Sequence, residues 1–311
     1  MTNIFKSVVK LLVIRPYYAL RGTLPLWYLI NLRRWLLFLI APSSLSLLEE
    51  RIVRELKEDG ISLTSLEELF SSHNPLAELQ AAARNLLPHA RVSEKKAFFV
   101  DLWDTKRIPF DLEDPFMKLA LNRSVTSIAH AYFGMYGRFY GTRAMKTQVM
   151  PAGDAATQSQ LWHRDPDDRM ICKMFVYLND VDEGTGPFSY LMGSHRRGHH
   201  WKDFPQLLPG EGGSGRISDE ELRKKISHSH EKKCLGSAGT VIFADTAGLH
   251  KGGYSTQRAR VMFLATFMSG VPFTRPSRRR KVVYPKNFHA LVEKFPFSVR
   301  EALRRPLIEI P

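Results

Sequence analysis

The chain has 311 residues, 44% hydrophobic and 24% charged, a composition that supports a globular core and excludes collagen-like, coiled-coil and disordered classes. The length suits two ordinary domains, or equally one large β-barrel domain with helical additions. The net charge of +14 sits at the ends: residues 1–48 hold six basic side chains and no acidic one, and residues 275–311 hold ten against three. The middle is left nearly neutral, which argues against a nucleic-acid partner, since enzymes of that kind spread positive charge over the working face.

Residues 1–48 are basic, aromatic and apolar, as in PYYALRGTLPLWYLINLRRWLLFLIAP. No small-residue cleavage site follows a single apolar run, so this is not a typical signal peptide. Arg33 and Arg34 interrupt the run, so it is a poor membrane span. Two readings stand: helices packed on the domain, or a helix lying in a membrane interface. Trp27, Tyr28, Trp35 and the arginines suit a headgroup layer, which would give a peripheral membrane contact.

Residues 47–88 read as helices. LLEERIVRELKEDG is amphipathic and stops at Gly60, Ser65 with Glu68 fits a capping box, and Asn74–Pro75 opens PLAELQAAARNLL. A longer helix is expected over 114–134, with Gly134 at its C-terminal end. From about residue 143 the texture changes: KMFVYLNDV, TVIFADT and RVMFLATFMS are short, β-branched and aromatic, and separated by turns. This is the pattern of an antiparallel β-barrel or jelly roll. An excursion near 202–233 interrupts it. It holds GEGGSG, which lacks the Lys-Ser/Thr of a phosphate loop and reads as a hinge, and SDEELRKKI, whose Ser218 and Glu221 fit a capping box. The division is thus 1–48 as a basic apolar segment, 49–274 as the β domain with flanking helices, and 275–311 as a basic C-terminal segment.

In QLWHRDPDDR, His163 and Asp165 stand two residues apart, which in a strand places both side chains on one face. His250 closes TVIFADTAGLH, downstream of that pair. Two histidines and one carboxylate with three open positions make the facial triad of non-haem Fe(II) oxygenases. Two open positions take a chelating cosubstrate and one takes O2. Arg260 opens RVMFLATFMS and by period-2 counting shares a face with Met262, Leu264 and Thr266. An arginine on an apolar inward face needs an anionic partner, and its planar fork suits a carboxylate. A dicarboxylic acid could chelate the iron at one end and meet Arg260 at the other.

At these residues the sequence resembles the phytanoyl-CoA dioxygenase family of Fe(II)/2-oxoglutarate oxygenases. LWHRDPDDRMICKMFVYLNDVDEGTGPFSYLMGSHRRG and FADTAGLHKGGYSTQRARVMFLATF carry the resemblance, over about 143–270. It implies a mainly β fold with added helices: a double-stranded β-helix core, jelly-roll and cupin-like, flanked by N-terminal helices. It implies His163, Asp165 and His250 as the catalytic iron ligands and Arg260 as partner of the far carboxylate of 2-oxoglutarate. The histidine-to-arginine spacing is one residue shorter than the family's, which leaves Arg258 as a rival. The family often has a serine two residues after the distal histidine, where this chain has Gly252; Ser255 or Thr256 would substitute. Gln148 is a further candidate for a cosubstrate contact.

The cofactors implied are Fe(II), 2-oxoglutarate and O2. The activity implied is hydroxylation of an unactivated carbon in a small or lipid-like substrate, with release of succinate and CO2. Asp165 fills the place that related halogenases leave for a halide, which favours hydroxylation. The alternative is a non-catalytic β-barrel module docked at a membrane or partner.

Neighbouring residues read as structural. His195 anchors a turn, Asp167 and Asp168 are turn residues, and Asp182 and Glu183 join strands. His199, His200, His228 and His230 lie in a solvated loop, and the basic run 278–281 is a solvated patch. Cys172 alternates with Met174 and Val176 as a core thiol. With Cys234 as the only other cysteine, no disulfide framework is available, and a reducing, cytoplasmic setting is expected.

Overall fold

The apolar runs near 173–181, 240–246 and 260–269 become neighbouring strands, as their β-branched and aromatic content predicts. The computed structural model describes residues 12–13, 15–93, 96–102, 107–109, 111–151, 153–204, 215–273, 281–283 and 285–304. In chain order the strands are β1 (Ile61–Ser65), β2 (Arg91–Ser93), β3 (Lys96–Asp101), β4 (Arg107–Pro109), β5 (Arg138–Thr147), β6 (Cys172–Tyr177), β7 (Phe188–Leu191), β8 (Glu231–Cys234), β9 (Thr240–Asp245), β10 (His250–Lys251), β11 (Val261–Met268) and β12 (Lys281–Val283). A seven-stranded antiparallel sheet runs β1-β9-β6-β11-β5-β3-β2, and a three-stranded antiparallel sheet runs β10-β7-β8. Strands β4 and β12 pair in parallel outside both.

Both faces of the major sheet are buried, so its central strands are apolar along their length. Met174 and Val176 of β6, Val241 and Phe243 of β9, and Phe263 and Ala265 of β11 pack on helices that include Leu47–Glu58 and Arg123–Phe133. Cys172 lies in this layer, as its alternation predicts, and burial raises its thiol pKa. On the opposite face, Phe175, Tyr177, Ile242, Ala244 and Met262 meet Phe188, Tyr190 and Cys234 of the minor sheet. The space between the sheets is the jelly-roll interior.

Several local expectations are corrected. Residues 61–65 are not helical: ISLTS pairs with β9 and forms an edge of the major sheet, and β2 and β3 also precede the expected onset of strands. The helix expected over 114–134 is two, Pro115–Ala120 and Arg123–Phe133. Asn122 caps the second, its Oδ1 accepting the Ser124 N–H at 2.8 Å. Gly134, with φ 67°, ends it as expected. In the C-terminal segment, helices Phe288–Val292 and Phe297–Leu303 pack Phe288, Val299 and Leu303 on Met117 and Leu121, so this segment belongs to the fold. Residues 1–11, 210–214 of the glycine-rich stretch and 278–280 of the basic run lie outside the described residues.

The N-terminal helices Leu24–Ile30 and Leu32–Ile40 pack on the barrel. The buried indole of Trp27 donates to Asp168 Oδ1 at 2.9 Å. The buried Arg34 donates to the carbonyls of Tyr136, Gly137, Glu301 and Arg304. Asp168 is therefore more than a turn residue. It is fully buried and also accepts the backbone N–H groups of Ser269 at 2.8 Å and Arg169 at 2.7 Å. Burial pushes its pKa up to about 6 from 3.8, against those donors. In that window the folded chain keeps a proton that the unfolded chain has lost, so this residue's contribution to stability falls as pH rises from about 4 to about 6. Trp27→Ala removes a buried indole and a partner of that carboxylate. It is expected to cost about 3–5 kcal/mol, read from denaturant unfolding.

Candidate metal centre

The backbone brings the two histidines together. His163 and His250 form a reciprocal antiparallel bridge, each N–H donating to the other's carbonyl at 2.9 Å. The Asp165 N–H donates to the Thr246 carbonyl at 2.8 Å, and His250 opens β10, which pairs with β7. The ligand atoms of His163, Asp165 and His250 lie within 4.8 Å of one another. His163 Nδ1 is 2.9 Å from the Leu161 carbonyl, and His250 Nδ1 is 3.0 Å from that of Gly248. A carbonyl only accepts, so Nδ1 carries the hydrogen in both neutral rings and the ring lone pair is on Nε2. This is the tautomer a metal ligand requires.

The electrostatics keep the set ready for a cation. Burial lowers the His250 pKa to about 3; the neighbouring His163 adds to this and Asp165 opposes it. Burial alone would raise the Asp165 pKa, but the Lys173 ammonium, with His250 and His163 alongside, outweighs it and holds the carboxyl well below the usual range. Lys173 Nζ, from β6, is 2.6 Å from Asp165 Oδ2. Lys173 thus balances the charge of the carboxylate.

Sequence reasoning passed over Lys173 and also Arg164, between His163 and Asp165. Arg164 is buried and donates to the carbonyls of Ser194, Ala247 (3.0 Å) and Trp201 (3.2 Å), with the Trp201 ring 4.4 Å away. Burial lowers its pKa to about 10. It fixes the 163–165 segment between β7's exit and the turn before β10. The excursion closes over the same place. Trp162 and Ile217 exchange backbone hydrogen bonds, the Trp162 indole donates to Asp219 at 2.7 Å, and Lys251 pairs with Asp219. Trp162, directly before His163, and Lys251, directly after His250, are therefore tied to it.

Arg260 is fully buried beside the strand of His250: a Cβ built on Gly252 would lie 3.8 Å from its Nη2. Nη1 donates to the Gly186 carbonyl, while Nε and Nη2 have no hydrogen-bond partner among the described residues. Burial lowers its pKa and the Tyr177 phenol opposes this. Arg258 is placed differently: its side chain is 58% exposed and pairs with Asp182 on the surface. Ser255 is buried, but its hydroxyl donates to the Arg258 carbonyl at 2.5 Å and so closes the turn. Thr256 is exposed. Gln148 follows β5 half-buried, its N–H donating to the Phe98 carbonyl at 2.9 Å. His195 anchors its turn as expected, with Nε2 3.1 Å from the Lys57 carbonyl. Asp182 caps the turn at Glu183–Thr185, as its strand-joining role predicts.

Two histidines and a carboxylate gathered in a two-sheet jelly roll are the donor set of the non-haem iron class. The sequence matches the family model described as phytanoyl-CoA dioxygenase over residues 58–262, and the chain belongs to that family: it is an Fe(II)/2-oxoglutarate-dependent dioxygenase. No curated protein matches it. Among solved structures it is similar to SnoN, a non-haem α-ketoglutarate-dependent epimerase from nogalamycin biosynthesis, at 21% identity and TM-score 0.53, covering 74% of this chain and 86% of that one. It is also similar to EctD from S. alaskensis, crystallised with 2-oxoglutarate and 5-hydroxyectoine, at 21% identity and TM-score 0.53, covering 86% and 89%. These likenesses speak for the fold; the family match carries the cofactor class. The reading as a non-catalytic module finds no support.

Proposed function

We propose that the chain hydroxylates an unactivated carbon of a small or lipid-like substrate, with His163, Asp165 and His250 holding Fe(II) and Arg260 receiving the far carboxylate of 2-oxoglutarate. The observation that carries this is the unpaired Nε and Nη2 of a fully buried arginine beside Gly252, two residues from His250. A buried guanidinium with idle donors fits an anion that arrives from outside the chain. Bound iron with 2-oxoglutarate and O2 supplies the oxidising power, yielding succinate, CO2 and the alcohol. The chain's part is to orient: the Leu161 and Gly248 carbonyls fix the imidazole tautomers, Arg164 holds the ligand segment, and the apolar jelly-roll walls exclude water. Gln148 and Ser255 are weaker candidates for cosubstrate contact, Ser255 acting through the turn it closes. Anaerobic titration of the purified chain with Fe(II) and 2-oxoglutarate tests the site. Comparing metabolites of cells with and without the gene, for a pair differing by one oxygen atom, tests the reaction.

The lipid-like class rests on the N-terminal surface. Of the seventeen large apolar side chains exposed among the described residues, twelve lie within 12–47, among them Leu29, Leu36, Leu39 and Ile40. The same region carries cations and no acidic residue. No helix of the described residues is long and apolar enough to cross a membrane, so the reading is a face laid on a lipid surface. Each cation near anionic lipid adds roughly 1 kcal/mol. Leu36→Glu with Leu39→Glu and Ile40→Glu is expected to reduce binding to phosphatidylserine vesicles at least tenfold. Equal sedimentation of variant and native chain with those vesicles would remove the membrane reading.

A further inference from the structure

The excursion leaves the barrel and rejoins it at one place. His199 and His200 stand at its entry, and His230 stands at its exit, just before β8 pairs with β7. The sequence suggests a solvated loop, yet the fold gathers these rings. Their ligand nitrogens lie within 4.8 Å of one another, and the centroid of the His200 ring is 4.0 Å from His199 and 4.7 Å from His230.

Three details single the cluster out. His200 Nδ1 is 2.6 Å from Asp203 Oδ2, so Nδ1 carries the hydrogen and Nε2 the bare lone pair. That Nε2 is buried and has no hydrogen-bond partner among the described residues. A carboxylate on one imidazole nitrogen with the other left empty is how metal-binding histidines are held. Gly193, at φ 71°, makes room for His199, because a Cβ there would come within 2.7 Å of the ring.

We propose that His199, His200 and His230 bind a divalent ion of the Zn2+ class, with the fourth position left to solvent, and that this ion clasps the neck of the excursion. Imidazole suits Zn2+, and Zn–N bonds of about 2.0–2.1 Å need only a small closure of the rings. His199 is exposed and can turn to supply it. Fastening residues 199–200 to 230 closes a long loop, which restricts the open chain as a crosslink does. The clasp bears on the iron site: Trp201, next to His200, accepts from and stacks on Arg164, and the excursion's Asp219 holds Trp162 and Lys251 beside the iron ligands.

Calorimetric titration of the full, tag-free, metal-depleted chain with Zn2+ tests this. The triad also takes Zn2+, so the native chain is expected to bind two equivalents. His199→Ala/His230→Ala and His163→Ala/His250→Ala should each bind one, and the fourfold variant none. The cluster variant should still bind Fe(II) with 2-oxoglutarate anaerobically, which separates loss of this site from loss of the fold or of the iron site. His200→Gln, which keeps the side chain's size, should also lose the second equivalent. In His163→Ala/His250→Ala, saturating Zn2+ should slow tryptic cleavage around residues 223–225 about tenfold or more. The same number of equivalents in the cluster variant as in the native chain would overturn the site. Unchanged cleavage with Zn2+ bound would overturn the clasp.

Discussion

His163→Ala, Asp165→Ala and His250→Ala are each expected to lower succinate formation by at least about 100-fold, the upper range for loss of even an outer-shell partner of a metal ligand. With two protein ligands left, the iron is weakly held. The two histidine variants should keep the fold, because the 163–250 bridge is made by backbone groups. Asp165→Ala differs: it strands Lys173, whose side chain is 20% exposed, without the carboxylate it now meets. That variant alone should lose thermal stability as well as activity. Succinate assays beside circular dichroism melts check both points. Substantial turnover by any of the three would remove that residue from the triad.

The triad was legible because its upstream pair depends only on the two-residue period of extended chain, and because the apolar runs of β6, β9 and β11 announce the sheet that carries it. What sequence hid is non-local. ISLTS lies between two helical stretches and declares itself a strand only when β9 is beside it. Asp168 sits among turn-forming neighbours, and nothing local says that Trp27, far upstream, will bury it. Nothing local to Arg164 says that three carbonyls from separate segments converge on it. The gathering of His199 and His200 with His230 needs the β7–β8 pairing, which no short pattern encodes.

Arg260→Lys is expected to raise the KM for 2-oxoglutarate by roughly 10- to 150-fold, with kcat at saturating cosubstrate changed less. Lysine keeps the charge but cannot present parallel N–H donors. Loss of a charge-assisted contact in a buried site costs about 1.5–3 kcal/mol, which is that range of affinity. The neighbouring arginine supplies the control. Arg258 is the rival, but its side chain is 58% exposed and paired with Asp182, while Arg260 is fully buried with Nε and Nη2 idle. Arg258→Lys should therefore leave the KM within about twofold, since this pair is exposed and exposed ion pairs contribute at most about 1 kcal/mol to stability. Both variants are compared at saturating iron with 2-oxoglutarate varied. A raised KM for Arg258→Lys with a normal one for Arg260→Lys would transfer the role to Arg258. Normal values for both would mean that the cosubstrate's far carboxylate is held by neither, and the idle donors of Arg260 would then need another anion.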